Sequence, residues 1–130
     1  MSDAIIRTEI EMDTKKFYLY ARVSSREQER EGYSIDAQIK SSKDYALAHD
    51  IVILKEFIDI ESAKESGRKK FGELLNNLEE HTEVGIICEK VDRLYRNLKD
   101  YLTVDDLGRD LIFVKENTIY TPEAKASERL

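Results

Sequence analysis

The chain reads as an α/β domain of three layers: a largely parallel sheet of four to five strands with helices on both faces. Three observations predict this. Apolar, β-branched runs alternate along the chain with helical stretches. One run, VGIICEK, is apolar throughout its middle, as a strand covered on both faces must be. Just before it, Phe71, Leu74, Leu75 and Leu78 fall at i, i+3, i+4 and i+7, the apolar stripe of an amphipathic helix.

Residues 1–15 are polar and mixed in charge and read as an extension, leaving 16–130 for the domain. FYLYARV, Phe17 to Val23, predicts a first strand that ends at Ser24 and Ser25. After a polar connection, Ser34 stands as N-cap of a helix to about His49, with Ile35, Ile39, Ser42 and Ala46 on one face. IVILKEFID, Ile51 to Asp59, is the second strand, and the Phe71 helix spans Lys69 to Glu80. VGIICEK follows as the third strand. VDRLYRN then leads into a helix carrying Leu94, Leu98, Tyr101 and Leu102 on one face. LIFVKE, Leu111 to Glu116, is the fourth strand, and Ile119 and Tyr120 open a short fifth. Pro122 begins a last helical segment, and the sequence stops within a turn or two of it.

Composition narrows the function classes. A chain of 130 residues, 41% hydrophobic, holds one core and therefore one domain. The net charge of −6 excludes a protein that grips a phosphate backbone mainly by a basic face. No apolar stretch suits a membrane span or a signal peptide, so a cytoplasmic protein with no membrane partner is expected. The single cysteine, Cys88, lies in the third strand and reads as core. His49 and His81 fall at helix ends without metal-ligand or triad spacing, and no Walker-type glycine loop precedes a lysine. Neither a metal nor a cofactor is expected.

Ligands of open α/β sheets bind at the carboxyl ends of the strands. The first strand ends in Arg22, Val23 and Ser24; the second ends in Asp59, followed by Arg68; the third leads into Asp92, Arg93 and Arg96. Arg22 and Ser24, two apart in a strand, leave the same face. Arg93 and Arg96, three apart, share a face if a helix begins there. Singly each has a plain reading: Ser24 as a turn residue, the arginines as solvated charges, Asp92 with Arg93 as a local ion pair. Together, one hydroxyl among fixed guanidinium forks suits a phosphoryl transition state, whose charge spreads over its oxygens. Arginines so crowded would repel one another without a phosphate, which predicts a mobile loop from Ser24 to Tyr33.

These residues resemble the serine site-specific recombinases: resolvases, DNA invertases and the large phage-type integrases. YARVSS after the first strand is similar to their nucleophile motif, and EKVDRLYRN after the third is similar to their DRLxR signature. The resemblance runs from about Phe17 to Leu130 and implies a resolvase-like catalytic domain. It implies that Ser24 attacks a DNA phosphodiester and forms a 5′-phosphoserine, with Arg22, Arg68, Arg93 and Arg96 on the phosphate and Asp92 supporting the arginines. Gln28 and Gln38 match glutamines of the family pattern, and Asp59 an acidic residue after the second strand. SIDAQ resembles the large-serine subgroup, which suggests a mobile-element integrase or excisionase. DNA and further copies of the chain, dimer to tetramer, are the implied partners. Family members continue into a long dimerisation helix and DNA-binding domains, so the fragment by itself is expected to be inactive in recombination.

The acceptor of the serine proton stays open between Asp92 and water. Two rival classes remain: a non-catalytic α/β module that docks a regulatory partner, for which Ser24 would be dispensable, and a phosphate-ester enzyme acting on small molecules, which would need a nucleotide-sized pocket.

Overall fold

The computed structural model describes residues 15–27, 34–62 and 68–121. The aromatic and β-branched run after Lys15 forms β1 (Lys16–Ser24), buried without interruption from Phe17 to Ala21. It is an inner strand of the sheet. It pairs in parallel with β2 (Val52–Glu61) on one side and β3 (Val84–Cys88) on the other. β4 (Leu111–Phe113) adds in parallel to β3, and β5 (Thr118–Tyr120) adds antiparallel, for the order β2-β1-β3-β4-β5.

The two-residue period of β1 divides the core. Phe17, Leu19, Ala21 and Val23 pack beneath α1 (Ile35–Ala48) with Ile35, Ala46 and Ile87. Tyr18 and Tyr20 face the opposite layer, α2 (Lys69–Glu80) and α4 (Leu98–Leu107), through Phe71, Leu74, Leu78 and Val104. Each large side chain so covered contributes roughly 1.5–3 kcal/mol relative to exposure. Gly85 has a definite reason to be glycine. A Cβ there would lie 2.5 Å from the Asp110 carbonyl oxygen and 2.6 Å from the Phe17 ring.

From β1 the chain crosses under α1 to β2 at one edge, and later strands build outward from the other side of β1. The strand order therefore reverses between β1 and β3, and the segments leaving their carboxyl ends part to open a crevice.

The three-layer, largely parallel architecture agrees with the sequence reading; four local expectations do not. The second strand continues two residues past Asp59 to Glu61, because Asp59 to Glu61 still pair with Arg22 to Ser24. The helix expected to carry Leu94 through Leu102 is two helices, α3 (Val91–Leu94) and α4, separated at Tyr95, which is extended at φ −101° and ψ 131°. Asn97 restarts the chain as N-cap, its side chain accepting the Asp100 N–H. In consequence Leu98 and Leu102 are exposed, at 70% and 55%, and Arg93 and Arg96 share no helix face. LIFVKE is strand only to Phe113, then a 3₁₀ turn over Val114–Glu116 ends at Asn117 in the left-handed region, turning the chain for its antiparallel return. Residues 1–14 and the Pro122 segment lie outside the described residues. No helix among the described residues is long and apolar enough to cross a membrane.

Candidate active site

Both sequence motifs meet at the β1/β3 crevice. Ser24 ends β1 opposite Glu61 of β2 and begins a turn in which it and Glu27 cap each other. The Ser24 N–H donates to Glu27 Oε1 and the Glu27 N–H donates to Ser24 Oγ, each at 3.0 Å. This is the reciprocal geometry of a capping box, Ser-x-x-Glu. Glu27 Oε1 also accepts from Arg93 Nη1 at 3.1 Å. One carboxylate thereby joins the hydroxyl residue to an arginine of the second motif. The Arg93 bond, aided by those from Ser24, holds the Glu27 carboxyl below the ordinary range despite partial burial.

Arg22 points from the same face of β1 and spans the crevice. Its Nε donates to the Arg93 carbonyl at 3.3 Å and its Nη2 to the Asp92 carbonyl, while Nη1 pairs with Glu61 Oε1 at 3.3 Å. The fork therefore fixes the backbone of the DRLxR segment against β1. Glu61 uses its other oxygen on Arg96 Nη1 at 2.9 Å, so a single carboxylate bridges Arg22 and Arg96. Arg96 is the most accessible of the four arginines, its side chain 41% exposed against 15% for Arg22 and 8% for Arg93.

Arg68 lies deeper. Its side chain, 7% exposed, is sandwiched with the Phe71 ring 3.9 Å from Cζ, pairs with Asp100, and donates to the Leu94 carbonyl at 2.5 Å and to the Tyr20 hydroxyl at 3.2 Å. Asp100 accepts the Arg96 N–H at 2.8 Å through the same oxygen. Asp59 is buried beside this group: it accepts the Tyr20 hydroxyl at 2.6 Å and the N–H groups of Lys70 and Phe71 at 2.9 and 3.0 Å, serving the first turn of α2 that Arg68 leaves uncapped. Burial first, then the bond to Asp59, raise the Tyr20 pKa well above the ordinary tyrosine value.

Gln38 works from the opposite layer. Only 1% exposed, it matches both backbone groups of Arg22, donating to the carbonyl at 3.0 Å and accepting the N–H at 3.1 Å. The Asp92 side chain is exposed, and its charge supports that of Arg93. An open cleft of about 530 Å³ is bordered by Arg22, Glu27, Lys90, Asp92, Arg93 and Arg96.

The structure thus brings Ser24, Arg22, Asp92, Arg93 and Arg96 to one crevice, sets Arg68 and Asp59 in an adjoining buried network joined to it through Leu94 and Asp100, and places Gln38 behind β1. Gln28 and the rest of 28–33 lie outside the described residues. The part of the expected loop that is described, Ser24 to Glu27, is a capped turn. Repulsion among the arginines is offset by Glu27, Glu61 and Asp100, three carboxylates that the sequence reading passed over. Two of them had a signal: Ser24-x-x-Glu27 and Asn97-x-x-Asp100 have the spacing of caps and their third helical residues. Glu61 had one as well, since it stands two residues after Asp59 on the same strand face. Among the described residues no group of His, Cys, Asp and Glu side chains is arranged to hold a metal ion.

An α/β domain that gathers a hydroxyl and several guanidinium groups at its topological switch point is the class that the fold and the site define. The family is more specific. Residues 17–130 match the family described as Resolvase, N terminal domain, and the chain belongs to it. Its fold is similar to the N-terminal catalytic domain of TP901-1 integrase, with 31% identity, TM-score 0.67 and coverage of 81% of this chain and 82% of that one. A resolvase family site-specific recombinase from Streptococcus pneumoniae has 30% identity and TM-score 0.66, covering 80% of this chain and 74% of that one. The C-terminal catalytic domain of ISC1926 TnpA, an IS607-like serine recombinase, has 26% identity and TM-score 0.62, covering 76% of this chain and 67% of that one. No curated protein matches the chain.

Proposed function

We propose that this chain is the catalytic domain of a site-specific DNA recombinase in which Ser24 is the nucleophile. Ser24 Oγ attacks a DNA phosphorus, the bond from phosphorus to the 3′ oxygen breaks, and that oxygen leaves as a hydroxyl with a proton. The 5′ phosphate remains esterified to serine. After strands exchange, a 3′ hydroxyl attacks the phosphoserine and returns the hydroxyl to Ser24. One phosphodiester is made for each one broken, so no nucleotide is consumed. Arg22, Arg93 and Arg96 neutralise the phosphoryl oxygens, and Arg68 and Asp92 support them. Gln38 and Asp59 support the scaffold, a role in keeping with their burial and their hydrogen bonds within the protein. DNA and further copies of the chain are the partners, and the cytoplasm is the compartment.

The observation that carries this reading is the single Glu27 oxygen shared by the Ser24 N–H and Arg93 Nη1, which holds the nucleophile of one motif two hydrogen bonds from an arginine of the other. The test is covalent capture. DNA bearing the junctions of the genetic element that encodes the protein is incubated with it, quenched with denaturant and assayed for protein attached to 5′ ends. Attachment that is abolished in Ser24→Ala is expected, with a loss of at least about a hundredfold in Arg22→Ala. Site binding without attachment would instead favour a non-catalytic regulatory module, a reading consistent with arginines already engaged by carboxylates.

A further inference from the structure

In the proposed reaction a phosphate oxygen must approach Arg93, yet Arg93 is 8% exposed in its side chain and its Nη1 already holds Glu27. Glu27 borders the cleft and is hydrogen-bonded to Ser24 through both its carboxylate and its backbone N–H. The carboxylate therefore lies at the edge of the cleft, tied to the backbone of the nucleophile residue and seated on the Arg93 donor that a phosphate would use. Its charge and the oxygen it sets on Arg93 Nη1 make it a chemical substitute for one phosphodiester oxygen.

We infer that Glu27 is a positioning residue and internal latch of the active site: its carboxylate occupies the phosphate's place on Arg93 while its backbone N–H holds Ser24 Oγ, and substrate phosphate binds by displacing that carboxylate. The inference rests on the proposed recombinase reading. It goes beyond that reading by naming the group that keeps the free site idle. Because Ser24 and Glu27 are coupled through both halves of the cap, departure of the side chain releases the Ser24 N–H and loosens the hydroxyl together. The nucleophile is then freed by the arrival of its own substrate. Glu61, bridging Arg22 and Arg96 through its two oxygens, holds the neighbouring forks in register and can remain while Glu27 leaves.

A latch lowers apparent anion affinity by the fraction of molecules in which it is open. The test is the affinity of the 130-residue chain for sulfate, a dianion across the neutral range, measured by titration calorimetry at constant ionic strength. Glu27→Gln retains an oxygen that can accept the Ser24 N–H but loses the ion pair, and is expected to bind sulfate about tenfold more tightly. Glu79→Gln, the same charge change at an exposed position on α2, is expected to bind as the parent does. In an Arg93→Gln background the gain from Glu27→Gln is expected to vanish. Unchanged affinity in Glu27→Gln, an equal gain in Glu79→Gln, or a gain that persists without Arg93 would each overturn the latch. Covalent capture separates the two readings: a sulfate gain without any Ser24-dependent attachment leaves the latch and removes the recombinase chemistry, and Ser24-dependent attachment without the gain does the reverse.

Discussion

The Tyr20 hydroxyl donates to Asp59 over 2.6 Å in a buried position between β1 and β2, and the same carboxylate receives two N–H groups from the first turn of α2. Asp59 is thus a helix cap delivered from a neighbouring strand. Its replacement by Asn leaves one of those donors facing an amide nitrogen, and Asp59→Asn is expected to lower unfolding stability by about 1–3 kcal/mol. Tyr20→Phe, which removes that bond and the one Arg68 Nε donates to the same hydroxyl, should cost about 1–3 kcal/mol. Urea denaturation of the two variants checks both.

Gln38 resembles a family position, but its amide is spent on the Arg22 backbone and is 1% exposed. Gln38→Leu is expected to destabilise the chain by about 1–3 kcal/mol, by stranding two buried backbone groups. The salt dependence of DNA binding should stay unchanged, since no phosphate contact is removed. A shallower salt slope in the variant would show that Gln38 meets DNA directly.

Gly85→Ala places a methyl group within 2.6 Å of both a carbonyl oxygen and the Phe17 ring, so β3 must shift against β1 and the Asp110 segment. Overpacking of this kind costs about 1–3 kcal/mol or more, and a fall in melting temperature of several degrees is expected.

The lowered pKa of Glu27 has a pH signature. A carboxyl whose folded pKa lies below its unfolded value contributes stability above the unfolded value, and that contribution is lost as pH falls through the folded one. Stability should therefore decline in the acid range more steeply in the parent than in Glu27→Gln. The difference is at most about 1 kcal/mol for a side chain open to solvent on one side. Denaturation midpoints at pH 6 and pH 3 measure it.

Burial pushes the Cys88 thiol up to about 12. Almost no thiolate forms near pH 8, so a disulfide reagent is expected to modify native protein only as fast as the chain opens, and denatured protein at once.

Much of the fold was legible because its signals are local. Phe17 to Val23 is too rich in aromatic and branched residues for a surface loop, and the Phe71 stripe admits one helical face. The motifs ending β1 and following β3 were legible for a related reason: strand ends are where a sheet exposes side chains, so Arg22, Ser24, Arg93 and Arg96 could be nominated before their distances were known. The helix break at Tyr95 escaped because Leu94, Leu98 and Leu102 keep helical spacing across it. Only the downstream Asn97 cap and the buried seat of Leu94 decide that the chain turns there.

What the sequence determined by itself is the order of elements, the layer architecture and the residue types gathered at one end of the sheet, since periodicity and composition act over a few neighbours. What the tertiary structure decided is which charge meets which. Glu27 reaches Arg93 across 66 residues, Glu61 reaches Arg22 across 39, and Arg68 turns inward to Asp100 across 32. Those pairings depend on which strands and loops the sheet order sets side by side, a relation among segments far apart in the chain, and no local pattern encodes the distance between them.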